Sequence, residues 1–211
     1  MSIAVREIFG FLRPGAQRVG PIGLQFSDER INLVQLDRDG RGQLNLKASA
    51  SIPYETTRDA LLSDAQKVRT LLRSALGKGF RGRTVISAMP PEHVRMLSVA
   101  YRPEADREDA DLILEQITER LDSEISDYVV DYLPVRTAGD ERRALVAVTP
   151  AAEVITFLET LRKAGLTVDA LEIGPVAVKR LVSAMTMQNQ PNNVLVINFG
   201  RDVAYMTMIS E

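Results

Sequence analysis

Cysteine and tryptophan are absent from the 211 residues. Without thiols there can be no disulfide, no thiolate-bound metal and no cysteine nucleophile. Histidine occurs once, as His93, which makes a histidine-rich zinc centre or a serine hydrolase with histidines to spare a poor reading. An excess of one charge is also missing: 26 Lys and Arg stand against 28 Asp and Glu, a net −2 with His93 neutral. That balance argues against a general nucleic-acid binder, which carries a clear basic surplus. No apolar run approaches the ~18 residues of a membrane-spanning helix, and the first residues lack a signal-peptide core and cleavage site, so the expected location is cytoplasmic. What is present is an ordinary globular composition, 45% hydrophobic. It is enough for a sizeable core and, at about 150 residues per domain, for one large domain or two small ones.

Residues 1–20 read as a leader. Ile3, Val5, Ile8, Phe9, Phe11 and Leu12 crowd beside Arg6 and Arg13, a pattern compatible with a short amphipathic anchor or with a frayed terminus. From Ile22 the pattern is β. Ile22 to Phe26, Ile31 to Leu36 and the period-two series Leu44, Leu46, Ala48, Ala50, Ile52 are separated by the turns Ser27 to Arg30 and Arg38 to Gly42, predicting an antiparallel meander. Arg58 to Leu76 keeps one apolar face and predicts a helix ended by Gly77. The basic loop Lys78 to Arg83 lacks the Lys-Ser or Lys-Thr of a phosphate loop. Thr84 to Met89 is a strand stopped by Pro90-Pro91. Then come strand Val94 to Tyr101, helix Asp106 to Leu121, strands Tyr128 to Val135 and Ala144 to Val148, helix Ala151 to Ala164 closed by Gly165, and strand Val168 to Ile173. This order predicts a split βαβ unit with two helices on one small sheet. A helix from Gly174 to about Met185, a polar linker Met187 to Asn193, and a hairpin of Val194 to Phe199 with Val203 to Ile209 complete the chain.

That order, with Gly23-Leu24-Gln25-Phe26-Ser27 and Ile31 to Leu36 as a first hairpin and Val194 to Gly200 opening a second, resembles the actin-like ATPase superfamily. The stretches Thr84 to Pro90, Asp127 to Tyr132 and Ala164 to Val168, with Leu171-Glu172 ahead of Pro175, bring it nearest to the PilM-like type IV pilus assembly proteins. The resemblance implies an α/β fold, an actin-like (ribonuclease H-like) first lobe carrying an inserted subdomain. Residues 21–91 plus 174–190 would form the core, 92–173 the inserted βαββαβ unit, and 191–211 the first hairpin of a second lobe that is only begun. Such a chain is either shortened from a longer protein or naturally short, and by itself it does not close a nucleotide cleft.

In that superfamily each hairpin turn carries a carboxylate that orients metal-bound water and a glycine that lets backbone N–H groups reach phosphate. Here Gln25-Phe26-Ser27 stands where the first turn should read Asp-x-Gly, Asn32 takes a position usually basic, Asn198 replaces the second Asp, and Gly200 is kept. Gln25, Ser27, Asn198 and Gly200 are thus the candidate nucleotide-binding residues of a degenerate site. Neutral amides cannot hold Mg²⁺ by charge. No enzymatic activity is expected, and ATP and magnesium enter only if a second lobe exists. Ordinary turn chemistry is the competing account of all four residues. His93 reads as a surface or loop residue, and the acidic series Glu104, Asp106, Glu108, Asp109 and Asp111 as the solvated start of a helix complementing its dipole. Met185, Met187, Met206 and Met208 read as gap-fillers.

If the resemblance holds, the implied job is that of a scaffold at the inner face of the inner membrane. It would bind the cytoplasmic tail of a PilN-type bitopic protein in a groove between core and insert, associating with the membrane through that partner. The walls would come from Thr84 to Met89, Val94 to Tyr101 and the helices Asp106 to Leu121 and Ala151 to Ala164. No nucleic-acid partner is expected, and self-association is left open. Three alternatives stand beside it: the cytoplasmic actin-like domain of a type II secretion protein, an ATP-binding kinase or ATPase of the superfamily, and an unrelated βαβ binding domain.

Overall fold

A computed structural model describes residues 18–135, 141–186, 193–199 and 204–210. Three strands open it: β1 (Arg18–Phe26), β2 (Arg30–Arg38) and β3 (Leu44–Pro53), paired antiparallel in sequence order. Strand β1 begins at Arg18, within the expected leader 1–20, whose residues 1–17 lie outside the described residues. Pro21, which donates no hydrogen bond, sits where the β1–β2 register shifts between Val19 and Ile22, the place in a strand where proline is tolerated. In the β2–β3 turn, Asp39 Oδ1 accepts from the amides of Arg41 and Gln43 at 2.9 Å, and Gly42 takes φ +84°.

The predicted helix over Arg58 to Leu76 is two helices, α1 (Arg58–Leu62) and α2 (Ala65–Leu76). Asp64 makes the break: its carboxylate accepts from the amides of Gln66 and Lys67 at 3.0 and 3.1 Å and so starts a new helix in mid-run. Strand β4 (Thr84–Ala88) then enters parallel to β1. Pro90 and Pro91 stop it as expected, and Pro91–His93 forms a 3₁₀ turn.

A second sheet follows in the chain. It contains β5 (Arg95–Tyr101), β6 (Tyr128–Val135) and β7 (Arg142–Pro150) in the order β5-β7-β6, with α3 (Asp109–Thr118) between β5 and β6. Its core is separate: Val99, Tyr101, Ile113, Ile117, Val146 and Val148 pack together. The acidic series leads into α3, with Asp109 and Asp111 in its first turn. Asp109 does more than face solvent, since it accepts from Tyr101 Oη at 2.9 Å and pairs with Arg142 at 3.1 Å. Burial, aided by the Asp109 hydrogen bond, holds the Tyr101 phenol above its ordinary pKa.

The expected split βαβ unit does not extend through residue 173. After β7 the chain enters α4 (Ala151–Lys163) and β8 (Thr167–Glu172), and β8 pairs parallel with β4. The main sheet is therefore five-stranded, in the order β3-β2-β1-β4-β8. Helix α4 goes with it, because Phe157, Leu161 and Ala164 are buried against Ile22, Leu24, Phe26, Leu62, Leu72 and Val85. Strand periodicity is blind to which sheet a strand joins, and the apolar stripe of α4 fits the larger core. Gly165 ends α4 at φ +91°, with Leu166 N donating to Leu161 O at 3.1 Å, the conformation that favours glycine after a helix.

Among the buried polar side chains is Gln35. Gln35 Nε2 donates to the carbonyls of Gly20 and Arg81, and Gln35 Oε1 accepts from Arg81 N, all at 2.8 Å. The amide ties the loop before β4 to the first two strands. Gln35→Ala should cost about 2 kcal/mol, because it removes three hydrogen bonds made by a buried side chain; urea denaturation checks it.

The chain closes with α5 (Gly174–Thr186) and a hairpin of β9 (Asn193–Phe199) and β10 (Ala204–Ser210), which forms its own two-stranded sheet. Met206 pairs with Ile197 and Met208 with Leu195, and these side chains are exposed, Met208 at 77%. Met206 and Met208 fill no gap among the described residues, a correction to the sequence-based reading. The side chain of Met185 and all of Met187 lie outside the described residues.

Candidate functional site

The first hairpin turn, between β1 and β2, is where the sequence places half of the degenerate nucleotide site. Alternation along β1 directs Leu24 and Phe26 into the core and Gln25 outward. Gln25 Oε1 accepts from Asn32 Nδ2 at 3.5 Å, and Asn32 Oδ1 accepts from Ser51 Oγ at 2.6 Å, a polar row crossing three strands. Ser27 closes the turn on itself: its amide and its hydroxyl both donate to Arg30 O at 2.9 Å. Tyr54 Oη donates to the Ser27 carbonyl. Burial raises the Tyr54 phenol above its ordinary pKa, and the nearby Arg58 charge partly offsets this.

Arg58, which the sequence reading did not single out, organises the turn. From the first residue of α1 its Nη1 reaches Phe26 O at 3.3 Å and Asp28 at 3.0 Å. Its Nε and Nη2 grip both oxygens of Glu92 at 2.8 and 2.5 Å. The guanidinium is thus committed to protein acceptors at the turn. Asp28 adds negative charge there, which repels phosphate.

Asn198 sits on β9 opposite Tyr205, in the separate hairpin. Gly200 lies outside the described residues. Gln25, on β1, and Ser27, in the turn after it, are neighbours, while Asn198 belongs to another sheet.

Beside the Arg58 cluster lies a cleft of about 290 Å³, between α1, the 3₁₀ turn and α4. Leu62, Met89 and Phe157 line it with apolar surface, and Asp59, His93 and Glu153 with polar groups. Two contacts fix its walls. Thr160 Oγ1 donates to Leu62 O at 2.9 Å, tying α4 to α1, and the Phe157 ring meets Phe26 edge-on with centroids 6.0 Å apart. His93 Nδ1 lies 3.6 Å from Glu153 Oε2, an ion pair whenever the imidazole is protonated. His93 is half-buried on this cleft rather than out on a loop. Donor atoms of Asp59, Glu92 and His93 come within 4.8 Å of one another, but Glu92 is already held by Arg58. The sequence signal available for this region was the single histidine, followed by the commitment of Pro90-Pro91 to a strand end.

No known protein family and no curated protein sequence matches the chain. Solved structures do. The fold is similar to those of solved proteins from pilus and secretion systems. One match is the structure titled PilM-PilN type IV pilus biogenesis complex, at TM-score 0.73 and 22% identity, over 90% of this chain and 58% of that one. Another is the cytoplasmic domain of EpsL, an inner-membrane component of the type II secretion system of Vibrio cholerae, at TM-score 0.52 and 13% identity, over 90% of this chain and 70% of that one. The chain spans under two thirds of the first of these structures. The PilM-like resemblance read from the residues therefore holds at the level of fold. Among the described residues no helix is long and apolar enough to cross a membrane.

Proposed function

We propose that this chain is a cytoplasmic actin-like scaffold of type IV pilus assembly that holds the cytoplasmic tail of a PilN-type inner-membrane protein, and that it neither binds nor hydrolyses MgATP. The observation that carries this reading is the match over 90% of the chain, at TM-score 0.73, to a chain of the structure titled PilM-PilN type IV pilus biogenesis complex. The EpsL likeness, at TM-score 0.52, supports a type II secretion role less strongly.

The turn chemistry supports the loss of nucleotide binding. A triphosphate at the first hairpin would have to displace Glu92 and Asp28 from Arg58, and Gln25, a neutral amide, stands where the metal-orienting carboxylate is expected. The cleft supports tail binding. It lies where the core meets the chain segment leading into the second sheet, and two of its walls, the end of the β4 strand and α4, are among those expected for the groove. The edges of β5 and β6 in the three-stranded sheet offer backbone groups for an extended peptide as well.

Calorimetry tests both halves. Titrating PilN-type N-terminal peptides into the protein is expected to give sub-micromolar binding that nucleotide does not change, and millimolar MgATP is expected to give no heat. MgATP binding would overturn the degenerate-site reading; failure of every such tail to bind would overturn the scaffold reading.

A further inference from the structure

The cleft between α1 and α4 has a composition that the scaffold reading does not specify. Its floor is apolar, from Leu62, Met89 and Phe157, whereas Asp59 and Glu153 stand exposed at its lip with His93 between them. No lysine or arginine is among its lining residues. Arg58, beside the cleft, is already engaged by Asp28 and Glu92. An apolar trough ending in carboxylates matches one kind of side chain: a long aliphatic stem with a cationic head, whose stem is buried while its charge stays at the mouth. The volume, about 290 Å³, falls just below the roughly 300–1,000 Å³ of small-molecule pockets. It suits one anchoring side chain and its neighbour better than a whole nucleotide.

We infer that this cleft is a basic-anchor subsite, taking an arginine or lysine side chain of the bound tail with its stem against Met89 and Phe157 and its head on Asp59 and Glu153. The inference rests on the scaffold reading and adds to it the chemistry of recognition. Charge complementarity supports the choice of occupant. Cytoplasmic segments flanking a membrane span carry a surplus of lysine and arginine, so a tail arriving from the inner membrane presents the charge that this lip lacks. The head group would replace solvent at two carboxylates, and its hydrogen bonds to them would be charge-assisted. Thr156, on the α4 wall, gives the same trough a hydroxyl beside the stem.

The test uses the 211-residue protein and a PilN-type N-terminal peptide in two versions, one as synthesised with its arginines and lysines and one with citrulline or norleucine in their place. The subsite predicts roughly ten-fold weaker binding of the neutral peptide and a similar loss for the native peptide on D59N/E153Q. It also predicts that the double variant leaves the already weakened neutral peptide unchanged. Raising NaCl should erode the difference, since the lip is exposed. Equal binding of both peptides to the unaltered protein would overturn the subsite while leaving tail capture standing. Failure of both peptides to bind would overturn the subsite together with the scaffold reading. Both substituted side chains are exposed, so the double variant should fold; the peptide pair on the unaltered protein decides the question without it.

Discussion

Arg58→Ala is expected to lower stability by about 3 kcal/mol, the largest loss from any single polar change near the first hairpin. The side chain is 11% exposed and serves Phe26 O, Asp28 and both oxygens of Glu92. Removing it strands two carboxylates beside each other, and broken buried pairs cost about 3–5 kcal/mol. Glu92 keeps 32% of its side chain in water, which places the effect at the lower edge of that range. With ~2–4 °C of melting temperature per kcal/mol for a chain of this size, the shift is roughly 6–12 °C. Arg58→Lys should recover less than half, because an ammonium cannot grip a carboxylate with two parallel bonds while reaching a third acceptor. A second readout separates charge from packing. Burial raises the Tyr54 pKa and Arg58 lowers it, so loss of the guanidinium should move the phenol further up in an ultraviolet titration. A melting temperature unchanged in Arg58→Ala would mean that the clamp contributes nothing to the turn.

The second large effect is expected at Leu161, which is fully buried in the main core. Leu161→Ala should cost about 3–4 kcal/mol, the middle of the ~2–5 kcal/mol seen for such truncations. Its location matters as much as its size. If α4 belongs to the five-stranded sheet, hydrogen exchange in this variant should accelerate first in β1, β4 and β8. Ile117→Ala, in the separate core under α3, should instead loosen β5, β6 and β7. The reverse pattern, with Leu161→Ala opening the three-stranded sheet, would put α4 back in the inserted unit where the sequence first suggested it.

Much of the fold was written in local patterns. Ile22, Leu24 and Phe26 against Gln25, and Ile31 and Leu33 against Asn32, alternate because one face of a strand is buried, and they fixed the meander and its register. Pro90-Pro91 and Gly165 marked ends that the structure has in those places, since a missing donor and a missing Cβ act within a turn. The helix break at Ser63-Asp64 was in the sequence too, but the unbroken apolar stripe on either side concealed it.

The candidate site was legible in part. Gln25, Ser27 and Asn198 could be named from hairpin order, and their lack of carboxylates follows from identity alone. Arg58, Glu92, His93 and Glu153 could not be grouped, as they are drawn from α1, a 3₁₀ turn and α4 and no spacing in the chain relates them. A guanidinium 30 residues downstream of the turn it serves gives no periodic signal.

Composition, alternation and turn chemistry, then, settled the elements, their order and the absence of thiol, metal-thiolate and histidine-rich chemistry, because each depends on residues within a few positions of one another. The tertiary structure alone decided that β8 pairs with β4 rather than with the smaller sheet, that α4 joins the main core, and that one arginine occupies the first turn beside an acid-lipped cleft. Those outcomes depend on which buried surfaces fit together across long stretches of chain, and that competition is resolved in space.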